Sequence, residues 1–158
     1  MALEIERRYV VKNTDWQTAV TGQQRIRQGF LAVSVEKVVR VRISGDQAWL
    51  TVKGMVSAST RREFEYAIPH SDANEMLDHL CPQVMEKTRY HVMVDGKHWE
   101  VDVFEGVNAG LVLAEIELTS ETETFALPSW LGHEVTEDGR YTNAYLSQHP
   151  YTSWTLHP

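Results

Sequence analysis

The 158-residue sequence has one cysteine, Cys81, so no internal disulfide can form, and no Cys-His pairing marks it as a nucleophile. A lone thiol fits a reducing, cytoplasmic setting. No apolar run approaches the roughly 18 residues of a membrane span. Met1 leads straight into charged residues without the basic-then-apolar pattern of a secretory signal, so a soluble protein is expected. Positive charge is scarce too: 15 Lys and Arg stand against 22 Asp and Glu, a net charge of −7. That balance argues against nucleic acid or an anionic membrane as partner, because both demand a basic surface that displaces counterions. Gly-x-Gly-x-x-Gly and Walker-type loops are missing, so any phosphate would be held by side chains. The seven histidines show no His-x-His or His-Glu-x-x-His spacing for a transition metal. Solenoid repeats and low-complexity tracts are also missing.

What is present is alternation. The length and an apolar content of 42% suit one domain, residues 1–158, with a core that needs no staple. Leu3 to Val10 alternates so that Glu4, Glu6 and Arg8 share one face of a strand and Leu3, Ile5 and Tyr9 the other. Gln23 to Leu31 reads as a short strand, and Val38 to Ile43 pairs with Ala48 to Lys53 across a Ser-Gly-Asp-Gln turn. After a loop from Gly54 to Thr60, Arg61 to Ile68 is a strand with Phe64, Tyr66 and Ile68 on its apolar side. Ser71 to Glu75 has capping-box spacing, opening a helix that Pro82 stops. Val84 to Val94 and Lys97 to Phe104 form a hairpin around Asp95-Gly96, and Gly110 to Leu118 is a further strand. Thr119 to Ala126 reads as a helical turn, Trp130 to Thr136 as a last strand, and Asp138 to Gln148 as a short helix before a polar tail.

One face of each strand collects Glu4, Glu6, Arg8, Arg40, Arg42, Lys53, Arg61, Glu63, Glu65, Lys87, Arg89, Glu100, Asp102, Glu115 and Glu117, while the opposite faces are aliphatic and aromatic. A solvated face mixes Thr, Ser and Gln with its charges. This one is almost wholly ionic, in pairs two residues apart. About eight strands can close into a narrow barrel, and turning the charges inward leaves the apolar faces for helices to cover. Charges so enclosed must be paired, bound to ions or bathed in water. Separate carboxylate and cation clusters suit a polyanion held together with Mg²⁺ or Mn²⁺, which take oxygen ligands and substrate phosphates. His91 and His98 share the inward parity, but strand-end positions account for them. The five Trp suit packing of the outer barrel face.

Glu-x-Glu-x-basic at Glu4, Arg-Val-Arg at Arg40, Thr-Val-Lys-Gly at Thr51, Arg-x-Glu-x-Glu at Arg61, Glu-Lys-Thr-Arg at Glu86, Glu-Val-Asp at Glu100 and Ala-Glu-Ile-Glu-Leu at Ala114 occur in this order. Together they resemble the CYTH superfamily of triphosphate tunnel metalloenzymes, most nearly its short bacterial tripolyphosphatase branch. The resemblance implies an α+β, strand-dominated fold: a closed eight-stranded antiparallel β-barrel with a few flanking helices. It further implies metal-dependent hydrolysis of a triphosphate-containing small molecule, inorganic tripolyphosphate first. Glu4, Glu6, Glu115, Glu117 and Asp102 would be the metal-side carboxylates. Arg40, Arg42, Lys53, Lys87 and Arg89 would cradle phosphate, with Arg8, Lys53 and Lys87 closest to the chemistry and Arg61 and Arg140 as further phosphate contacts. Glu63, Glu65, Glu100 and Phe30 would line the wall. The chain is also compatible with a homodimer.

Two positions depart from the family pattern. The first motif ends in Lys in the family and in Arg8 here, and Gln-Gly-Tyr-Leu is Gln28-Gly29-Phe30-Leu31, without the hydroxyl. Arg and Lys differ in reach and shape, so the departures bear on catalysis more than on binding. The competing readings are an adenylyl cyclase, a hydrolase of an organic triphosphate such as ATP or thiamine triphosphate, and a polyphosphate-binding module without turnover.

Overall fold

The computed structural model describes residues 3–154. Its strands are β1 (Leu3–Val11), β2 (Val20–Val33), β3 (Lys37–Ser44), β4 (Gln47–Met55), β5 (Thr60–Ala67), β6 (Val84–Val94), β7 (Lys97–Phe104), β8 (Val112–Leu118) and β9 (Leu131–Glu134). Helix α1 (His70–His79) links β5 to β6, and α2 (Asn143–Gln148) lies near the C-terminus. The strand order is β5-β4-β3-β2-β6-β7-β8-β1, all antiparallel, and β1 returns to β5 through Leu3↔Arg62, Glu4↔Arg61 and Ile5↔Thr60. Eight strands therefore close into the expected barrel, and β9 adds a ninth beside the end of β1. Closure removes free edges and turns one parity of every strand inward. At the β6–β7 turn both Asp95 and Gly96 have positive φ, as the Asp-Gly pair anticipates.

Three apolar clusters hold the barrel. Trp99, Val101, Val92, Ile116 and Tyr9 point outward and pack under Trp16, Trp130, Leu131 and Phe125. Ala73 and Leu77 of α1 cover Val41, Ile43 and Ala48 on the outside of β3 and β4. The third cluster is internal. Val10, Met85, Phe104 and Leu113 have inward parity but sit where β1 and β7 end and β6 and β8 begin, and Leu146 of α2 joins them in an apolar plug. No helix among the described residues is long and apolar enough to cross a membrane.

Several boundaries differ from the sequence reading for identifiable reasons. β2 runs 14 residues because β6 supplies ladder partners along its polar start and β3 along its far end to Val33. α1 begins at His70 with Pro69 as its N-cap, so no capping box forms at Ser71. Thr119 to Ala126 is not helical: the Glu123 carboxylate accepts from both the Thr119 N–H (2.6 Å) and its hydroxyl (2.7 Å), a local alternative to helical bonding. The segment from Asp138 divides into a 3-10 turn, Gly139–Tyr141, and α2, whose cap is the Thr142 hydroxyl accepting from the Tyr145 N–H at 3.1 Å. Of the polar tail, residues 155–158 lie outside the described residues. The outer face of β5 is uncovered. Phe64 and Tyr66 are 44% and 59% exposed, because α1 lies over β3 and β4 instead.

Candidate active site

The inward faces enclose a cavity of about 210 Å³. Seven cations line it, Arg8, Arg40, Arg42, Lys53, Arg61, Lys87 and Arg89, and so do seven carboxylates, Glu4, Glu6, Glu63, Glu65, Glu100, Glu115 and Glu117. The charges balance in number; Arg40, Arg42, Lys87 and Arg89 cluster on one side, while Arg8 and Lys53 sit among the carboxylates.

On the cation side, β3 contributes Arg40 and Arg42, and β6 contributes Lys87 and Arg89. Lys87 is completely buried, its ammonium donating to Asp102 Oδ2 at 2.7 Å and Asn143 Oδ1 at 2.8 Å, above the Phe104 ring of the plug. Burial pulls its pKa down to about 7 against the opposing pull of Asp102. Arg89 grips the same carboxylate through Nε (2.8 Å) and a terminal nitrogen (3.0 Å). Burial opposes its charge, and Asp102 more than offsets this, so its pKa lies well above the ordinary value. Arg42 lies well below it, through burial and then repulsion from Arg40 and Arg89; its Nε donates to Gln28 Oε1 at 2.8 Å. Arg40 bonds Thr51 and lies 3.6 Å from Glu65, and its buried Nε lacks a partner. Four cations forced together with so few anions between them make a site that a polyanion would relax.

The carboxylate side is built by β1, β8 and β7. Register sets Glu6 directly opposite Glu117, and Glu115 directly opposite Glu100. Like charges facing across a ladder repel, and here they are partly desolvated as well. Burial, then Glu115, raises the Glu6 pKa to about 8. Burial also raises Glu4, which takes a 3.0 Å bond from Lys53. Glu115 behaves differently. It accepts from Arg8 Nε (3.1 Å) and a terminal nitrogen (2.9 Å), and Arg8 with Arg89 holds its pKa well below the usual range despite burial. Arg8 also bonds Glu6 at 2.8 Å. Among the described residues no three His, Cys, Asp or Glu side chains are gathered as a ready-made metal cage. The donor set still fits a hard cation: oxygen-only ligands, facing like charges, and in Glu6 an acid that burial and the neighbouring Glu115 push toward its protonated form against the pull of Arg8.

The sequence-derived site residues thus converge, with exceptions. Both oxygens of Asp102 are taken by Lys87 and Arg89 and the residue is 2% exposed, so it anchors cations and presents no free edge to a metal. Arg140 is not in the barrel cavity. It pairs with Asp138 at 2.6 Å and lies by the Tyr141 and Trp154 rings, on the wall of a separate, largely apolar cavity of about 610 Å³ that meets the charged one at Val38, Lys53, Arg61 and Ala144. Phe30 is buried and lines the charged cavity. His91 and His98 bond each other at 2.8 Å, and neither lines the charged cavity. Gln28, Asn143 and Thr51 were missed. Gln28 and Thr51 carried a signal, as the first residues of the Gln-Gly-Phe-Leu and Thr-Val-Lys-Gly motifs, and Asn143 carried none.

Comparison with known proteins places this geometry. The CYTH domain model matches residues 2–145. An inorganic triphosphatase of Acetivibrio thermocellus is 44% identical over 155 residues, 98% of this chain and 99% of the relative. Another, of Nitrosomonas europaea, is 34% identical over 151 residues, 91% and 96% of the two chains. Among solved structures, the fold is similar to an inorganic triphosphatase at TM-score 0.67 and 32% identity, covering 93% of this chain and 95% of the other.

Proposed function

The chain belongs to the CYTH family, and from that premise we propose that it hydrolyses inorganic tripolyphosphate with Mg²⁺ or Mn²⁺ inside the barrel. The observation that carries this reading is the segregation of buried charge: Arg40, Arg42, Lys87 and Arg89 on one side, facing carboxylate pairs on the other. Glu4, Glu6 and Glu117, with Glu115 behind them, would hold the metal. When bound, the ion would neutralise phosphate oxygens and activate water. The four cations bind and orient the triphosphate, whose negative charge relieves their mutual repulsion, and phosphoryl transfer asks for little beyond such positioning and neutralisation. Lys53, between Glu4 and Glu63, contributes a further positive charge where the two cavities meet. Arg8 acts on the carboxylates, fixing Glu115 and Glu6. On this reading Arg8, placed by the resemblance among the residues closest to the chemistry, serves as a carboxylate organiser.

The test is direct. Purified protein with Mg²⁺ or Mn²⁺ is offered tripolyphosphate, ATP and thiamine triphosphate, and phosphate, pyrophosphate and cyclic AMP are scored. Phosphate from tripolyphosphate should far exceed any other product and stop on chelation. The 610 Å³ apolar cavity beside Lys53 and Arg61 favours a second reading, in which it receives the organic part of a triphosphate ester. ATP or thiamine triphosphate turned over faster than tripolyphosphate would establish that reading. Binding without any product would leave a polyphosphate-binding module. Independently of turnover, tripolyphosphate at about 100 Kd should stabilise the fold by about 2.7 kcal/mol, or roughly 5–10 °C in melting temperature for a chain of this size. No shift at millimolar ligand would mean that the lining charges are merely solvated.

The departure at Arg8 has a modest expected effect. Arg8→Lys keeps a positive charge but loses the fork that meets Glu115 twice, so about 1–3 kcal/mol of stability should go. The KM for tripolyphosphate should change less than about threefold, since Arg8 is engaged by Glu6 and Glu115. A several-fold gain in kcat would show instead that a compact ammonium belongs at this position.

A further inference from the structure

Asn143, the first residue of α2, reaches the wall of the charged cavity from outside the barrel. Its orientation follows from donor and acceptor chemistry alone. An Arg guanidinium only donates, so the 2.8 Å bond from Arg42 Nε fixes Gln28 Oε1 as the acceptor. The other end of that amide, Gln28 Nε2, then faces Asn143 at 2.7 Å and must meet an oxygen. The Lys87 ammonium, 2.8 Å from the same atom, makes the same demand. Asn143 therefore points Oδ1 at Gln28 and Lys87. Its Nδ2 has no hydrogen-bond partner among the described residues, although the side chain lines a cavity crowded with phosphate-binding cations.

We propose that Asn143 is a substrate-binding residue: its amide N–H₂ donates to an oxygen of the bound polyphosphate, while its carbonyl ties Lys87 to Gln28 and so to Arg42. This rests on the reading of the barrel as a triphosphate site and deepens it. Gln28 is completely buried and satisfied at both ends, so it acts only through others and is a positioning residue. The arrangement gives α2 a task beyond plugging the barrel with Leu146. It delivers a neutral donor to a site whose other polar lining residues are all charged, where a neutral donor can bond a phosphate oxygen without repelling the cations around it.

Asn143→Asp separates the two tasks. The carboxylate still accepts from Gln28 and Lys87, but it replaces the N–H₂ with an anion facing the phosphate. Calorimetric titration with inorganic tripolyphosphate should show affinity more than about thirtyfold weaker, with KM rising in parallel and a melting temperature equal to or above wild type. Asn143→Ala should lose about tenfold in affinity together with a few degrees of melting temperature, because Gln28 and Lys87 then lose an acceptor. Wild-type binding that Asn143→Asp leaves intact overturns this assignment alone. A wild type that binds no tripolyphosphate overturns the triphosphate-site reading and this inference with it.

Discussion

Lys87→Met is expected to lower tripolyphosphate turnover by about 10²–10³-fold while the melting temperature near neutral pH stays within a few degrees of wild type or rises. Lys87 is the most deeply buried cation of the cluster, between Asp102 and Asn143, so no other ammonium can take its place beside a phosphate. Its contribution to stability has the opposite sign. Burial brings the folded-state pKa to about 7 from 10.5. Between those values the unfolded chain binds the extra proton, so wild-type stability rises with pH across that window, and the penalty of a buried charge is complete below it. Met is about as long as Lys and carries no charge, and it leaves Asp102 bound twice by Arg89. The measurement is a pair of melting curves at pH 6.5 and pH 9.5 beside a steady-state assay. Wild type should gain on the variant at the higher pH. A variant that unfolds at both values would show that the ammonium is a structural necessity, and one with wild-type turnover would remove Lys87 from the site.

The lining was legible in the sequence because a strand repeats every two residues. Once Arg40 and Arg42, Lys87 and Arg89, or Glu115 and Glu117 lie on strands, closure of the sheet leaves each pair only one side to face. Partnership was another matter. That Asp102 is consumed by cations follows from β6 lying beside β7 with Arg89 opposite Asp102, and strand order is not written in either strand. Gln28 and Asn143 are 115 positions apart, both neutral, and their contact depends on α2 folding back over the end of the barrel. Arg140 shows the converse. The family resemblance suggested a phosphate contact, but Asp138 two residues earlier offers a closer carboxylate, and local bonding won. Phe64 and Tyr66 have the right parity for a covered face, yet whether a helix lies over a given stretch of barrel depends on where its linkers let it land.

The metal side yields the second large effect, and Glu6 probes it better than Glu115. Glu115→Gln would strip Arg8 of two bonds and leave a buried guanidinium underpaired, so lost activity could be lost structure. Glu6→Gln keeps volume and keeps an oxygen for Arg8. Turnover at low Mg²⁺ should fall by at least about 10²-fold, since a hard-cation ligand is gone. Metal-free stability should move the other way. The folded-state pKa of Glu6 is about 8 against 4.5 for an ordinary Glu, so between those values the folded protein binds the extra proton and wild-type stability falls as pH rises. At pH 7 that loss is on the order of 3 kcal/mol, and the Gln variant does not suffer it. With EDTA, therefore, Glu6→Gln should melt above wild type at pH 7 and close to it at pH 4.5. With excess Mg²⁺ the order should reverse, because only wild type gains a ligand that binds the folded state. If the variant melts below wild type without metal, Glu6 is an ionised partner of Arg8; if magnesium stabilises both proteins equally, the ion is held elsewhere.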